Sequence, residues 1–428
     1  MPHQTARIAS LTEAAGPRRF SGINWTGIIA VTLIAIWVLT LASSIGIKGG
    51  WLIDANGIPQ NNDYNNVYTA GQLTLQGEPA AAYDWQRHKQ TQIVLTNNPS
   101  SSFYPWPYPP IFLFVAALLA LMPYAISMFT WSIGTLALYA VQLRRISATR
   151  TQFAILLAMP PVWFNAFVGQ NGAFTAALIG CALLVLPSRP VVAGICIGLL
   201  AYKPHLGILF PVALAAAGQW RAFASAGVTV AALIIASVLA FGIAPWLAMP
   251  GQLDFVMSLM KTADSPERLQ SLFVLLTSLG IAVKAASAAQ LVLTIALVAG
   301  VAWTWHRKDV PHDLKAALLA TAVTLASPYQ FVYDLPVLTL AQAFLLRYLA
   351  SAGGVTMRDA AILVLVNVCV FLFATTSIPM GFFGCLSLAA FVVQLIQIEI
   401  GGQSGGAGAR RAHYSTRGER GGMRVLTV

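Results

Sequence analysis

Charge is what this chain has least of: 9% of its 428 residues are Asp, Glu, Lys or Arg, against about 25% in an ordinary soluble domain. Hydrophobic residues make up 57%, an excess that a soluble core cannot absorb. There is no Walker loop, glycine-rich dinucleotide fingerprint, His-Glu-x-x-His run or Gly-x-Ser-x-Gly elbow. Nucleotide-driven transport and the commonest hydrolase and protease sites therefore have no support. Cysteine is scarce too. Cys181, Cys196, Cys369 and Cys385 lie in apolar stretches without paired ligand spacing, so they read as small core residues rather than disulfides or metal ligands. Neither a cofactor nor a metal ligand set is expected, and a requirement for a divalent metal stays open. Alternating ten-residue strands of the outer-membrane barrel type are also absent, which leaves helices to satisfy the backbone in a bilayer.

What is abundant is apolar sequence of spanning length, about 20 residues for a hydrocarbon core of roughly 30 Å. The expected fold is an all-α polytopic membrane protein. A first apolar stretch at about 24–47 is too long for a signal-peptide core and lacks a convincing cleavage site, so it is expected to remain as a span. Further candidate spans fall at about 108–122, 124–143, 151–168, 172–186, 191–203, 205–217 and 222–245. Others follow at about 270–284, 287–305, 315–327, 333–349, 360–376 and 380–398. Allowing for mergers, hydropathy predicts roughly 11 to 13 spans.

The formal net charge is +11, of which the segment 1–23 supplies +2 and the tail 401–428 supplies +4. Basic flanks beside spans belong in the cytoplasm, and this reading outweighs nucleic-acid binding. The chain thus divides into a cytoplasmic segment 1–23, a membrane domain 24–400 and a disordered basic tail 401–428. Within the domain, 48–106 is a polar outer loop holding Asp54, Asp63, Glu78 and Asp84, four of fourteen acidic residues. One or two short surface helices are expected there, from about Tyr64 to Gln76 and Trp85 to Leu95. One conflict stands. Arg144, Arg145 and Arg150 look cytoplasmic, yet two full crossings between Tyr108 and Leu143 put them outside. Arg189, Arg221 and His306-Arg307-Lys308 can be cytoplasmic, with Gln170, Lys203 and the stretch Pro328 to Asp334 towards the outer face.

Five polar constellations carry chemical content. Asp63, in Asn61-Asn62-Asp63-Tyr64, reads either as a general base or as an ordinary helix N-cap; Asp84 has the same two readings. Phe103 to Pro110 interleaves aromatics with prolines, which suits an interfacial anchor and equally the stiff wall of a groove. Gln170 and Asn171 are amides at a depth where polar groups face a cavity or form a plain turn. Tyr202-Lys203-Pro204-His205 breaks a helix and places cationic donors able to hold a phosphate, unless Lys203 snorkels to the interface. Ser327-Pro328-Tyr329-Gln330 with Tyr333-Asp334 repeats the interrupted pattern around a buried acid, either a substrate ligand or a structural partner for Lys203. Asp254, Lys261, Asp264, Glu267 and Arg268 form a second polar loop whose spacing names no reaction.

The ordered set Asp63-Tyr64, Gly77, Tyr83-Asp84, Tyr108-Pro109-Pro110, Gly169-Gln170, Lys203-Pro204 and Ser327-Pro328 through Tyr333-Asp334 resembles the membrane glycosyltransferases of family 87. Those are polyprenol-phosphate-mannose-dependent mannosyltransferases and relatives of the GT-C class. The resemblance implies a GT-C bundle in the plasma (inner) membrane, a polyprenyl-phosphate sugar donor, a lipid or glycan acceptor, and an acidic general base in the first outer loop. On this sequence the base is Asp63. Tyr64, Asp84, Tyr108, Gln170, Asn171, Lys203, His205, Tyr329, Gln330 and Asp334 are the candidate substrate ligands, with Lys203 and His205 as the cationic donors. Tyr329 and Gln330 stand where the family often has a His, which puts a catalytic His there, and mannose as the sugar, in doubt. The rival reading is a flippase or secondary transporter for a lipid-linked sugar, although no inverted repeat is evident.

Overall fold

The computed structural model describes residues 50–60, 62–99, 102–261, 268–372, 376 and 378–404, with scattered positions between 32 and 43. The segment 1–23, most of the first span, Asn61, Asp264, Glu267 and the tail from 405 lie outside the described residues. The regular elements described are helical, and the strand-like contacts among them are two isolated bridges, Ile53 to Pro59 and Leu269 to Phe331.

The polar segment after the first span contains α1 (Tyr64–Leu75), a 3-10 turn (Pro79–Tyr83) and α2 (Trp85–Thr96). α1 does not lie on the surface as expected. Nine of its residues are buried, from Tyr64 to Leu73, because it packs along α3 (Leu113–Ala120). Gly71 permits this approach: a Cβ there would stand 2.1 Å from the Ala116 carbonyl oxygen. α2 carries the exposed face of the pair, with only His88, Gln92 and Thr96 buried.

α4 (Tyr124–Ile146) bears on the conflict over the arginines. It has spanning length, whereas the apolar helix before it, Pro110–Ala120, falls in the 10–17 residue class and reaches only about 15–25 Å at 1.5 Å per residue. By length, a single helix of spanning class therefore lies between α1 and Arg144 and Arg145, which stand in the last turn of α4. α5 (Arg150–Leu157) and α6 (Pro160–Val168) then return as a pair bent by 50°.

The middle of the chain runs up and down in shorter pieces. α7 (Gly172–Val185), α8 (Pro190–Leu199), α9 (Pro204–Gly207) and α10 (Leu209–Ala216) are followed by the long α11 (Trp220–Phe241). Proline stands at the first turn of α6, α8 and α9, where its missing N–H costs nothing. α12 (Ala244–Lys261) packs over the 3-10 turn of the outer segment. Asp254 and Lys261 are thus helical rather than part of a polar loop. α13 (Leu272–Ser278) is a seven-residue helix, so the apolar stretch at 270–284 is not a span. α14 (Val283–His306), α15 (His312–Ala326), α16 (Pro336–Ser351), α17 (Met357–Phe371) and α18 (Met380–Ser404) complete the bundle.

Among the described residues four helices meet the length and composition of a membrane span, or five if the bent pair counts as one crossing. This is fewer than hydropathy suggested, because glycines, prolines and polar turns cut several apolar runs into helices too short to cross alone. α15 and α16 form the centre, buried along most of their length. α11 and α14 form the periphery: only 11% and 17% of their spanning windows are buried, and their exposed Leu239, Val228 and Val292 suit contact with lipid tails rather than with water.

The breaks in the inner helices meet at one end. Gly172 lies so close to the Tyr333 carbonyl oxygen that a Cβ would stand 1.8 Å from it. Asn165 of α6 locks the same junction, donating Nδ2 to the Tyr333 oxygen at 3.1 Å and accepting from the Ala173 N–H at 3.1 Å. Gly172→Ala should therefore destabilise the protein by about 3 kcal/mol, the upper end of overpacking costs, since a backbone oxygen cannot rotate away. Gly134→Ala, with open space around its site, should cost nothing measurable. Thermal unfolding of both variants in detergent checks the contrast.

Candidate active site

Three interrupted stretches supply the side chains at this end: Gly169 to Gly172, Tyr202 to Pro204, and Ser327 to Asp334. Gly169 ends α6 in the left-handed region with φ 69°, and a side chain there would also strike Tyr64, 2.7 Å away. Glycine satisfies both demands. The turn that results aims two consecutive amides in different directions.

Asn171 points inwards. Its Oδ1 accepts from Lys203 Nζ at 2.8 Å, and Lys203 Nζ also donates to Asp334 Oδ1 at 2.6 Å. Lys203 is 5% exposed and Asp334 is 0% exposed, so this is a buried ion pair, with the Tyr333 ring 5.3 Å below the ammonium. Each partner offsets the cost of burying the other. The structural reading of Asp334 as the partner of Lys203 is the one the geometry supports. It also means that Lys203 is paired with a carboxylate and already donates twice.

Gln170 points the other way. Its side chain lies close enough to the Asp63 carboxylate to favour the ionised form, while its Oε1 accepts from the Tyr108 hydroxyl at 3.3 Å. Tyr108 is held in turn by Trp106, Phe112 and Tyr202, and its carbonyl accepts from the Tyr83 hydroxyl at 2.8 Å. Trp106, Tyr108 and Pro110 of the aromatic and proline run are therefore core, the others are half-buried, and Tyr104 lines the open cleft.

Asp63 precedes α1 but does not cap it. Its backbone is helical and its side chain makes no cap bond; Asn62 Oδ1 accepts from the Tyr64 N–H instead, at 3.0 Å. The carboxylate is 8% exposed and opens onto a cleft of about 230 Å³ shared with Trp51, Asn62, Tyr104, Phe167 and Arg268. Burial pushes its pKa up to about 6, against the lowering effects of the Arg268 charge and the Gln170 hydrogen bond. A carboxylate held at this value in a cleft can accept a proton near neutral pH.

Arg268 is the residue that sequence reading missed. Its Nη1 stands 3.9 Å from Asp63 Oδ1, although 205 positions separate the two in the chain. No local signal announces it. The stretch following it is fastened to the late motif by the Gln270 N–H donating to the Gln330 oxygen at 2.6 Å and by Ser271 Oγ donating to the Pro328 oxygen at 2.6 Å.

The remaining predicted residues sit at varying distances from the cleft. Tyr64 is buried behind Asp63, its hydroxyl 2.5 Å from Ser127 Oγ. Asp84 is exposed and accepts from the Gln86 and Arg87 N–H groups at 2.9 and 3.1 Å, so it is the N-cap of α2 and does not join the cluster. Tyr329 packs edge-on against Phe273, and Gln330 is buried with Nε2 donating to the Phe331 oxygen at 3.2 Å. His205 lies two residues beyond Lys203, its Nε2 buried without a hydrogen-bond partner. Among the described residues no group of three His, Cys, Asp or Glu side chains is arranged to hold a metal ion.

A helical bundle with lipid-facing flanks and a polar cleft beside its broken inner helices defines a multi-pass membrane protein with a site at one end. A model of glycosyltransferase family 87 matches residues 106–328, over half of the 428 residues. The chain belongs to that family and is a membrane glycosyltransferase, with a sugar donor and an acceptor as its substrates. The matched stretch takes in Tyr108, Gln170, Asn171, Lys203, His205 and Arg268; it begins after Asp63 and ends before Asp334. Comparison with curated proteins gives no match.

Two outcomes follow from this geometry. Lys203→Met alone leaves Asp334 uncompensated and should cost about 3–5 kcal/mol, most of it recovered in Lys203→Met with Asp334→Leu; a double-mutant cycle in detergent measures the recovery. Because the folded protein favours the neutral acid of Asp63, ionisation becomes a penalty as pH rises from about 4 through about 6. Asp63→Asn should therefore be more stable than wild type at pH 8, by roughly 3 kcal/mol, with the advantage gone at pH 4. Unfolding curves at the two pH values test this.

Proposed function

We propose that the protein is an inverting hexosyltransferase, with Asp63 as general base, that moves a sugar from a polyprenyl-phosphate donor to a lipid or glycan acceptor. The observation that carries this reading is a buried carboxylate with its pKa raised to about 6, opening on a cleft that also presents a cation. Mannose is the sugar that the family resemblance favours. The reaction is assigned to the outer face of the plasma membrane, the side to which the charge rule assigns the loop carrying Asp63.

The chemistry needs few parts. Asp63 takes the proton of the acceptor hydroxyl as its oxygen attacks the anomeric carbon. The bond from that carbon to the donor phosphate oxygen breaks on the opposite face, and the polyprenyl phosphate leaves with the electron pair. One displacement inverts the anomeric centre. A lipid phosphate needs no protonation to leave, so a second carboxylic acid is unnecessary and a nearby cation suffices. Gln170, beside the Asp63 carboxylate, favours its ionised form, and Tyr108 holds Gln170.

Asp63→Asn keeps the shape and removes the base. Purified, correctly inserted Asp63→Asn protein should lose at least about 100-fold in sugar transfer from polyprenyl-phosphate hexoses. For wild type, kcat/KM should fall as pH drops below about 6, where Asp63 takes up a proton. Wild-type rates in the variant would remove Asp63 from the mechanism, and so would the absence of an acid limb.

A further inference from the structure

Lys203 is spent within the bundle: it donates to Asp334 at 2.6 Å and to Asn171 at 2.8 Å, and its side chain is 6% exposed. A phosphate brought to it would have to displace a buried carboxylate. His205 is a poor substitute, because it is half-buried with its Nε2 shut off from solvent, and it is close enough to Lys203 for that charge to oppose its protonation. The cleft nevertheless contains a cation. Arg268 lines it together with Asp63, is 48% exposed at its side chain, and has its Nη1 3.9 Å from the Asp63 oxygen. That distance is long for an ion pair, so the guanidinium lacks a close bidentate partner in Asp63.

We infer that Arg268, rather than Lys203, is the residue that receives the phosphate of the prenyl-phosphate donor and stabilises it as it leaves. This rests on the transfer reaction proposed above. A donor phosphodiester carries one negative charge. When the anomeric carbon–oxygen bond breaks, the electron pair stays on the phosphate oxygen and the product monoester carries two. Asp63 loses its negative charge in the same step by taking the acceptor proton, so the total charge in the cleft is unchanged while one charge moves from carboxylate to phosphate. A single guanidinium beside both positions follows that movement. It is bound loosely by Asp63 before reaction, and it is released to form a two-pronged contact with the phosphate as Asp63 becomes neutral. A planar fork of N–H donors suits a phosphate better than a point charge does. In inverting sugar hydrolysis the base and the group serving the leaving oxygen stand about 6.5–9.5 Å apart, so the guanidinium, 3.9 Å from Asp63 before substrate enters, swings outward by roughly 3–5 Å to meet the phosphate, within the reach of a long, half-exposed side chain.

The backbone near Arg268 is built as a mount. The Leu269 to Phe331 bridge and the bond from the Gln270 N–H to the Gln330 oxygen tie this stretch to the segment that leads into Asp334. Gln270 Oε1 accepts from the Gly381 N–H at 2.6 Å, which adds α18 to the same anchor. The late Ser-Pro-Tyr-Gln motif thus acts on the cleft through its backbone. It places a cation that it does not itself contain.

Full-length protein in nanodiscs and ³²P-labelled undecaprenyl phosphate without a sugar provide the test, with transfer from polyprenyl-phosphate hexoses measured in parallel. Arg268→Gln should weaken undecaprenyl phosphate binding at least tenfold, Arg268→Lys should fall between it and wild type, and Asp63→Asn should bind as tightly as wild type or tighter. In transfer, Arg268→Gln should raise the donor KM, lower kcat, and move the acid limb of the pH profile upward, because the charge that favours ionised Asp63 is gone. Binding by Arg268→Gln within twofold of wild type overturns the proposal. Inorganic phosphate competing as strongly as the lipid would assign the site to free phosphate and overturn it equally. If wild type binds undecaprenyl phosphate through Arg268 but transfers no sugar from any polyprenyl-phosphate hexose, the phosphate site stands and the reaction assignment fails.

Discussion

The Lys203–Asp334 ion pair, completed by Asn171, is the constraint on which the rest of the site depends. Two opposite charges and an amide, each from a different break in the helical bundle, meet where neither water nor lipid can satisfy them. Separating any one strands the others in a medium where unpaired charge is costly. The three breaks must therefore stay together, and the turns that contain them are fixed relative to one another. Gly172 against Tyr333, and Asn165 between the two, bring the backbone to the same closeness.

From that junction the order passes outward through one residue. Gln170 precedes Asn171, so the turn that delivers an amide to the ion pair also delivers one to Asp63. Tyr108 and the aromatic stack around it then hold Gln170 from the other side. The Asp63 carboxylate is thus positioned by rigid core elements although it sits at the start of a segment that hydropathy marks as a loop. Its raised pKa comes from the same cause: α1 is packed into the bundle, and Asp63 is drawn in with it.

The two cations have opposite fates for a physical reason. Lys203 is buried among partners that match its charge, and its contribution is architectural. Arg268 is half in solvent beside a carboxylate it does not closely bind, so its charge is available to a ligand. The proposed transfer from a lipid phosphate uses both: a neutralised pair to hold the helix breaks, and an unspent charge at the mouth.

Much of the architecture was legible in the sequence because it follows from periodicity and composition, which are local. The low charge and the apolar runs imply a helical membrane bundle, and Tyr64 to Gln76 and Trp85 to Leu95 differ from α1 and α2 by a residue or less at their ends. The Pro and Gly breaks, and the pairing of Lys203 with Asp334 as one of two open readings, could also be proposed from residue types alone. What sequence could not decide depends on distance in three dimensions. Whether Asp63 or Asp84 was merely a cap turned on which neighbours each met: Asp84 meets its own helix, and Asp63 meets Gln170. Whether an apolar run spans turned on how far its helix continues, and 270–284 stops after seven residues in α13. Arg268 comes beside Asp63 because the Gln270 N–H and the Ser271 hydroxyl fasten its segment to the backbone of the late motif, and no spacing along a chain encodes a contact made by two unrelated loops.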